Sequence, residues 1–125
     1  MGLRKSVGMV CVVATLAGCK GFATEIVNRQ PLSPLPAYEE WWAATESCSG
    51  RTGELGMISW FTAVGITSDE VLAFGLWRPP HEIVIVKGYE DNETIVRHEM
   101  LHDLLDGDSD HTSVYWESCK LILGR

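Results

Sequence analysis

Basic residues are scarce in this chain: ten Lys and Arg stand against seventeen Asp and Glu, for a formal net charge of −7. No basic stripe follows the first few residues, so nothing is placed to neutralise a phosphate backbone, and nucleic acid is excluded as a partner. No apolar run approaches the roughly 20 residues that a membrane-spanning helix needs. Internal repeats are lacking, which excludes solenoids and propellers. The chain has 125 residues, room for one compact domain and not for two. Cysteine is sparse too, four in all and none in a Cys-x-x-Cys pair, so a thiolate zinc knot is not expected. What remains, 46% hydrophobic and 22% charged, is the balance of an ordinary globular domain.

The first residues read as a targeting segment. Arg4 and Lys5 form a short positive region, and Val7 to Ala17 is apolar over the length of a signal-peptide core. It closes on Leu16-Ala17-Gly18-Cys19, which resembles the lipobox of bacterial lipoproteins. That resemblance implies cleavage after residue 18, a lipid on Cys19, and residence in the bacterial cell envelope, facing the periplasm or the exterior. Loss of Arg4 and Lys5 would move the net charge from −7 to −9. Several acyl chains hold a protein on a bilayer stably, whereas one is marginal. Cys11 leaves with the signal. Cys48 and Cys119 then remain as an even pair in an oxidising compartment, and a disulfide is the expectation.

Along the rest of the chain, residues 19–36 read as a lipid-anchored tether, because three prolines between Pro31 and Pro36 favour extended backbone. The domain is expected over 37–125. Tyr38, Trp41, Trp42 and Thr45 share one side of a helix that Gly50 ends. A strand is expected over 57–64, a weaker one over 71–77, and the clearest over 81–87. Asp91 or Asn92 caps a further helix that runs to about Leu105, with apolar residues spread around it as in a helix buried on more than one side. Gly107 stops it, and a last helix covers about 113–123. The order is that of an α+β domain.

Within the long helix lies His98-Glu99-Met100-Leu101-His102. Imidazoles four residues apart project from one helical face and can share a metal ion. Glu99 is placed to reach a metal-bound water rather than the metal, and could act as general base and then acid. This His-Glu-x-x-His segment resembles that of the zincin metallopeptidases. The resemblance implies a small twisted sheet packed on the active-site helix, one Zn²⁺, hydrolysis of peptide bonds in a peptide or protein substrate by a metal-activated water, and an edge strand that aligns the substrate. Glu82 to Lys87 is the natural candidate for that strand. The spacing of His98, His111, Trp116 and Cys119 is also similar to that in a group of small bacterial lipoproteins.

The third ligand is provisionally His111, because imidazole suits zinc, with Asp108 and Glu117 as the alternatives. One zincin subgroup continues as His-x-x-Gly-x-x-His or Asp, but position 105 is Leu; Asp108 occupies the ligand place, and Gly107 comes two residues late. Reversal at Gly107 would instead return His111, and another subgroup's use of a later Glu nominates Glu117. Asp103 is a candidate to orient an imidazole, and Tyr115 a candidate to reach a developing oxyanion. Asp106, Asp108, Asp110 and Glu117 also match calcium-loop spacing, but His111 stands where such a loop needs Gly, leaving at most a looser Ca²⁺ site. The alternative from another functional class is a non-catalytic metal-binding envelope lipoprotein, which a closed set of four protein ligands would favour.

Overall fold

The computed structural model describes residues 24–68 and 71–123 of the chain. The expected signal peptide (1–18) and the lipidation site Cys19 lie outside the described residues.

Among the described residues seven strands form two sheets. In the larger, β2 (Gln30–Pro31), β3 (Ser59–Ala63), β7 (Glu82–Val86) and β6 (Gly75–Arg78) lie side by side in that order. β3 and β7 run parallel, from Ser59 opposite Glu82 to Ala63 opposite Val86, and the other pairs are antiparallel. In the smaller sheet, β1 (Thr24–Val27), β4 (Gly65–Ser68) and β5 (Val71–Ala73) are antiparallel with β4 central. Among the described residues three α-helices complete the fold: α1 (Ala37–Ser49), α2 (Glu93–Leu105) and the single turn α3 (Tyr115–Ser118).

The larger sheet is covered on both faces, and β7 explains how. Ile83, Val84 and Ile85 are all fully buried. Side chains alternate across a strand, so Ile83 and Ile85 meet Tyr38 and Trp42 of α1 and Val96 and Met100 of α2. Val84 points the other way, against Ala63 and Ile66 at the junction with the small sheet. Removing Ile83 to the β-carbon would cost about 2–5 kcal/mol, the range for deleting a buried aliphatic side chain. On α1 the buried positions Tyr38, Trp42, Thr45 and Ser49 fall at helical spacing, and Gly50 ends the helix at φ 70° with its N–H on the Glu46 carbonyl. Asn92 caps α2 by accepting the Ile95 amide at 3.0 Å.

Several expectations change at this stage. The stretch read as a tether enters the fold from Thr24, because β1 and β2 find strand partners and Leu32 and Leu35 pack on the core. The segment 57–64 starts with a 3-10 turn at Leu55–Met57 and becomes a paired strand only from Ser59. The segment 71–77 divides at Phe74 into β5 and β6, which join different sheets. The strand 82–86 is interior rather than an edge; its unbroken apolar run suits burial on both faces. β2 and β6 form the edges. The last helix is one turn instead of 113–123, since Lys120 adopts φ 57° and Leu121 folds back with its N–H on the Trp116 carbonyl at 3.0 Å.

Candidate metal centre

α2 is buried along both the sheet side and the side facing the C-terminal segment, with His98, Glu99, His102 and Asp103 all in its buried set. Its end sets the site. Asp106 takes the left-handed conformation at φ 53°, Gly107 follows at φ 135°, and the chain doubles back. The Gly107 amide bonds to the His102 carbonyl at 3.0 Å, while the Gly107 carbonyl accepts from His102 Nδ1–H at 2.7 Å. Asp108 and His111 also hold positive φ, at 63° and 56°, in a tight turn that closes with the His111 amide on the Asp108 carbonyl.

That turn delivers His111 to the helix. Its Nε2 lies 3.0 Å from Nε2 of His98 and 3.1 Å from Nε2 of His102, and the three nitrogens lie within 4.8 Å of one another. His98 Nδ1–H donates to the Leu121 carbonyl at 2.7 Å. Because carbonyls only accept, both helix histidines carry their proton on Nδ1 and turn the Nε2 lone pair inward. His111 can offer one proton and so can satisfy one of the two. A cation at the point of convergence satisfies all three, and the spacing is close to the roughly 3.3 Å edge of a zinc–imidazole tetrahedron with bonds of about 2.0–2.1 Å. The donor set therefore fits a divalent metal, and imidazole suits zinc among several transition ions. Burial lowers the pKa of His98 to about 4 against a helping bond from Leu121, and burial lowers that of His102 as well, so burial favours the unprotonated ring that a metal would need.

Trp116 is the floor of the site, and the sequence reading assigned it no role. It is fully buried, its ring 4.6–4.7 Å from those of His98, His102 and His111. Its indole N–H donates to Asp108 Oδ2 at 2.6 Å. Asp108 also accepts from the Thr112 amide and hydroxyl and the Ser113 amide at 2.9–3.0 Å. The Trp116 bond, aided by those amides, holds its carboxyl well below the usual carboxylate range. Asp108 is thus the organiser of the turn. It is not in the converging group, and neither are Glu117, which is exposed on α3, or His81. The loose Ca²⁺ site has no such group either: among the described residues the three histidines alone converge in this way. Tyr115, the candidate for an oxyanion, packs against the cluster of Leu101, Trp116, Cys119 and Leu121 with the Arg51 guanidinium 5.6 Å from its ring, since adjacent helical positions diverge and Trp116 takes the inward one. Asp103 binds Trp77 Nε1 at 2.8 Å and His81 Nδ1 at 3.0 Å rather than His102.

Glu99 faces the same cleft, a space of about 780 Å³ lined by the three histidines, Phe74 to Trp77, and residues 107–111. Its side chain is buried, 4% exposed, and desolvation pushes its pKa up to about 8 against the Trp77 backbone amide, which pulls the other way. Gly75 makes the fit: a β-carbon there would stand 2.9 Å from Glu99 Cγ and Oε1. The disulfide Cys48–Cys119, with Cα atoms 5.2 Å apart, fastens α3 and hence Trp116 to the end of α1.

Comparison with family models, with curated proteins and with solved structures finds no match to this chain.

Proposed function

We propose that the chain is a zinc-dependent peptidase, held by a lipid at Cys19 on the outside of a bacterial membrane. One observation carries the reading: three imidazole nitrogens converge in a cleft that also holds a buried carboxylate with its pKa raised to about 8. Three protein ligands with none further among the described residues is the composition of catalytic rather than structural zinc sites. A zinc ion held there supplies a Lewis acid that polarises a scissile carbonyl and acidifies water toward a pKa of about 7.

His98, His102 and His111 are the ligands, the first two fixed in tautomer by the Leu121 and Gly107 carbonyls. Glu99, dry and next to Gly75, takes a proton from the attacking water and returns it to the leaving amine. A cation nearby would bring its pKa down from the metal-free value, into the range where a base works at neutral pH. Among the described residues β6 pairs only with β7, and its residues Gly75 to Trp77 line the cleft. It replaces the strand 82–86 as the element on which an extended peptide would pair by main-chain hydrogen bonds.

The test is metal analysis of the purified protein together with cleavage of an unstructured protein substrate. One zinc per chain, cleavage abolished by chelator and restored by zinc, and a Glu99→Gln variant that keeps zinc but loses cleavage are the expected results. Cleavage retained in Glu99→Gln sinks the mechanism. Zinc bound with no hydrolysis of any peptide in either form points to a metal-binding lipoprotein without catalysis.

A further inference from the structure

Among the described residues, eight large apolar side chains are exposed, and five of them gather at one end of the domain: Val27, Val64, Leu72, Phe74 and Tyr89. Their neighbourhood is fixed by the main chain. The Val64 amide bonds to the Val27 carbonyl at 2.9 Å, and the Lys87 amide to the Ala63 carbonyl at 2.7 Å. The Val86 amide bonds to the Phe74 carbonyl at 2.9 Å, and the rings of Phe74 and Tyr89 meet at 4.8 Å. This is where β3 and β7 end, β6 begins and the small sheet joins. Leu72, 78% exposed on β5, lines the same cleft as Phe74. A gathering of this kind on an acidic chain marks a surface that something else covers.

The chain's own attachment says what covers it. Cys19 lies five residues before Thr24, and five residues reach at most about 18 Å. From Thr24, β1 leads into the patch at Val27 within roughly another 10 Å. A lipid on Cys19 therefore keeps Val27 within roughly 28 Å of the bilayer surface, which leaves this face free to reach it. We infer that the face carrying Val27, Val64, Leu72, Phe74 and Tyr89 lies on that membrane, its apolar groups in the headgroup boundary. The inference rests on the lipid-anchor part of the proposed function and not on catalysis. Phe and Tyr suit an interfacial position, and exposed Lys87 can extend its ammonium past the apolar groups to phosphates. The attraction is apolar rather than electrostatic, for the chain is acidic and Glu25 and Asp91 stand exposed nearby.

One consequence concerns access. Leu72 and Phe74 also form the wall of the cleft that holds Glu99 and the histidines. With that wall on the bilayer, the cleft opens beside it, and the polypeptide it can take is one presented at the membrane surface.

The test uses the acylated chain, isotope-labelled, in nanodiscs of phosphatidylethanolamine and phosphatidylglycerol that contain a lipid with a paramagnetic headgroup. Mass spectrometry first establishes the acyl group. Amide signals of Val27, Val64, Leu72, Phe74 and Tyr89 are expected to lose at least half their intensity. Those of Met57, Val114 and Ile122, equally exposed apolar residues elsewhere, are expected to be unchanged. A Val64→Ser/Tyr89→Ser double variant, still acylated and with unaltered α2 signals, should recover most of the lost intensity. Equal broadening of both groups, or none in either, overturns the orientation while leaving the lipid anchor and the peptidase reading standing. A chain without lipid on Cys19 overturns the orientation and the anchor together, while zinc content and Glu99→Gln activity report on the peptidase separately.

Discussion

Glu99 offers a measurement that needs no substrate. In the metal-free protein its pKa rises from 4.5 to about 8 through burial. Below pH 4.5 the carboxyl is protonated in both folded and unfolded chains and costs nothing. As pH climbs through 4.5 the unfolded chain ionises while the folded one stays protonated, so stability falls until the folded group ionises near 8. A tenfold difference in proton affinity is worth about 1.4 kcal/mol. The penalty is then roughly 1.4 kcal/mol at pH 5.5 and roughly 4 kcal/mol at pH 8. Gln has no such charge. Glu99→Gln should therefore gain stability relative to the parent by about 3 kcal/mol on going from pH 5.5 to 8, whatever constant offset the amide introduces. Urea unfolding of both chelated proteins at the two pH values, with the disulfide intact, reads the difference. Saturating zinc should shrink it, since a cation beside the carboxylate favours the ionised form. A difference that stays flat with pH in the chelated proteins would refute the argument that Glu99 is desolvated.

His111→Ala should cut zinc occupancy sharply, because it removes one of three converging donors; Asp108→Ala should leave a weaker but measurable site and cost about 1–3 kcal/mol of stability, the usual penalty for unpairing hydrogen-bond donors such as the Trp116 indole. If Asp108→Ala instead empties the site while His111→Ala keeps its zinc, the carboxylate is the third ligand. Gly75→Ala should displace Glu99 and destabilise by about 1–3 kcal/mol, with cleavage falling more than zinc content, as metal titration and peptide turnover would reveal. Replacing Cys48 and Cys119 by Ser releases a loop closed over a separation of 71 residues, which the chain-entropy estimate sets at about 4 kcal/mol by urea unfolding.

The parts of the site legible in the sequence are those that local helical geometry decides. Four-residue spacing put His98 and His102 on one face of a helix that Asn92 caps, and those contacts depend on nothing distant. His111 depends on Asp106, Asp108 and His111 itself all adopting positive φ. The enrichment of Asp and His in that region only hints at it, so the choice of His111 over Asp108 rested on the place of Gly107 and on the preference of zinc for imidazole. Leu121 holds His98 through a carbonyl, so its side chain carries no signal. Trp116 looked like one more apolar helix position, because its indole bond to Asp108 arises only once the turn has formed. Strand positions were readable but sheet membership was not. The division at Phe74, and the choice of edge, depend on pairing between distant segments. The Ile83-Val84-Ile85 run did hold the clue that its strand is interior.

The Cys48–Cys119 bond makes the domain a covalent ring with two tails, and His98, Glu99, His102 and His111 all belong to the ring. A single nick between residues 49 and 118 therefore opens the ring without dividing the molecule. At the exposed turn Ser109–Thr112 a cut before His111 would leave that ligand joined through Cys119 to the piece that carries the other two. Such a nicked chain would run at full mass until it met a reductant, and two separate cuts are needed before any ligand can leave.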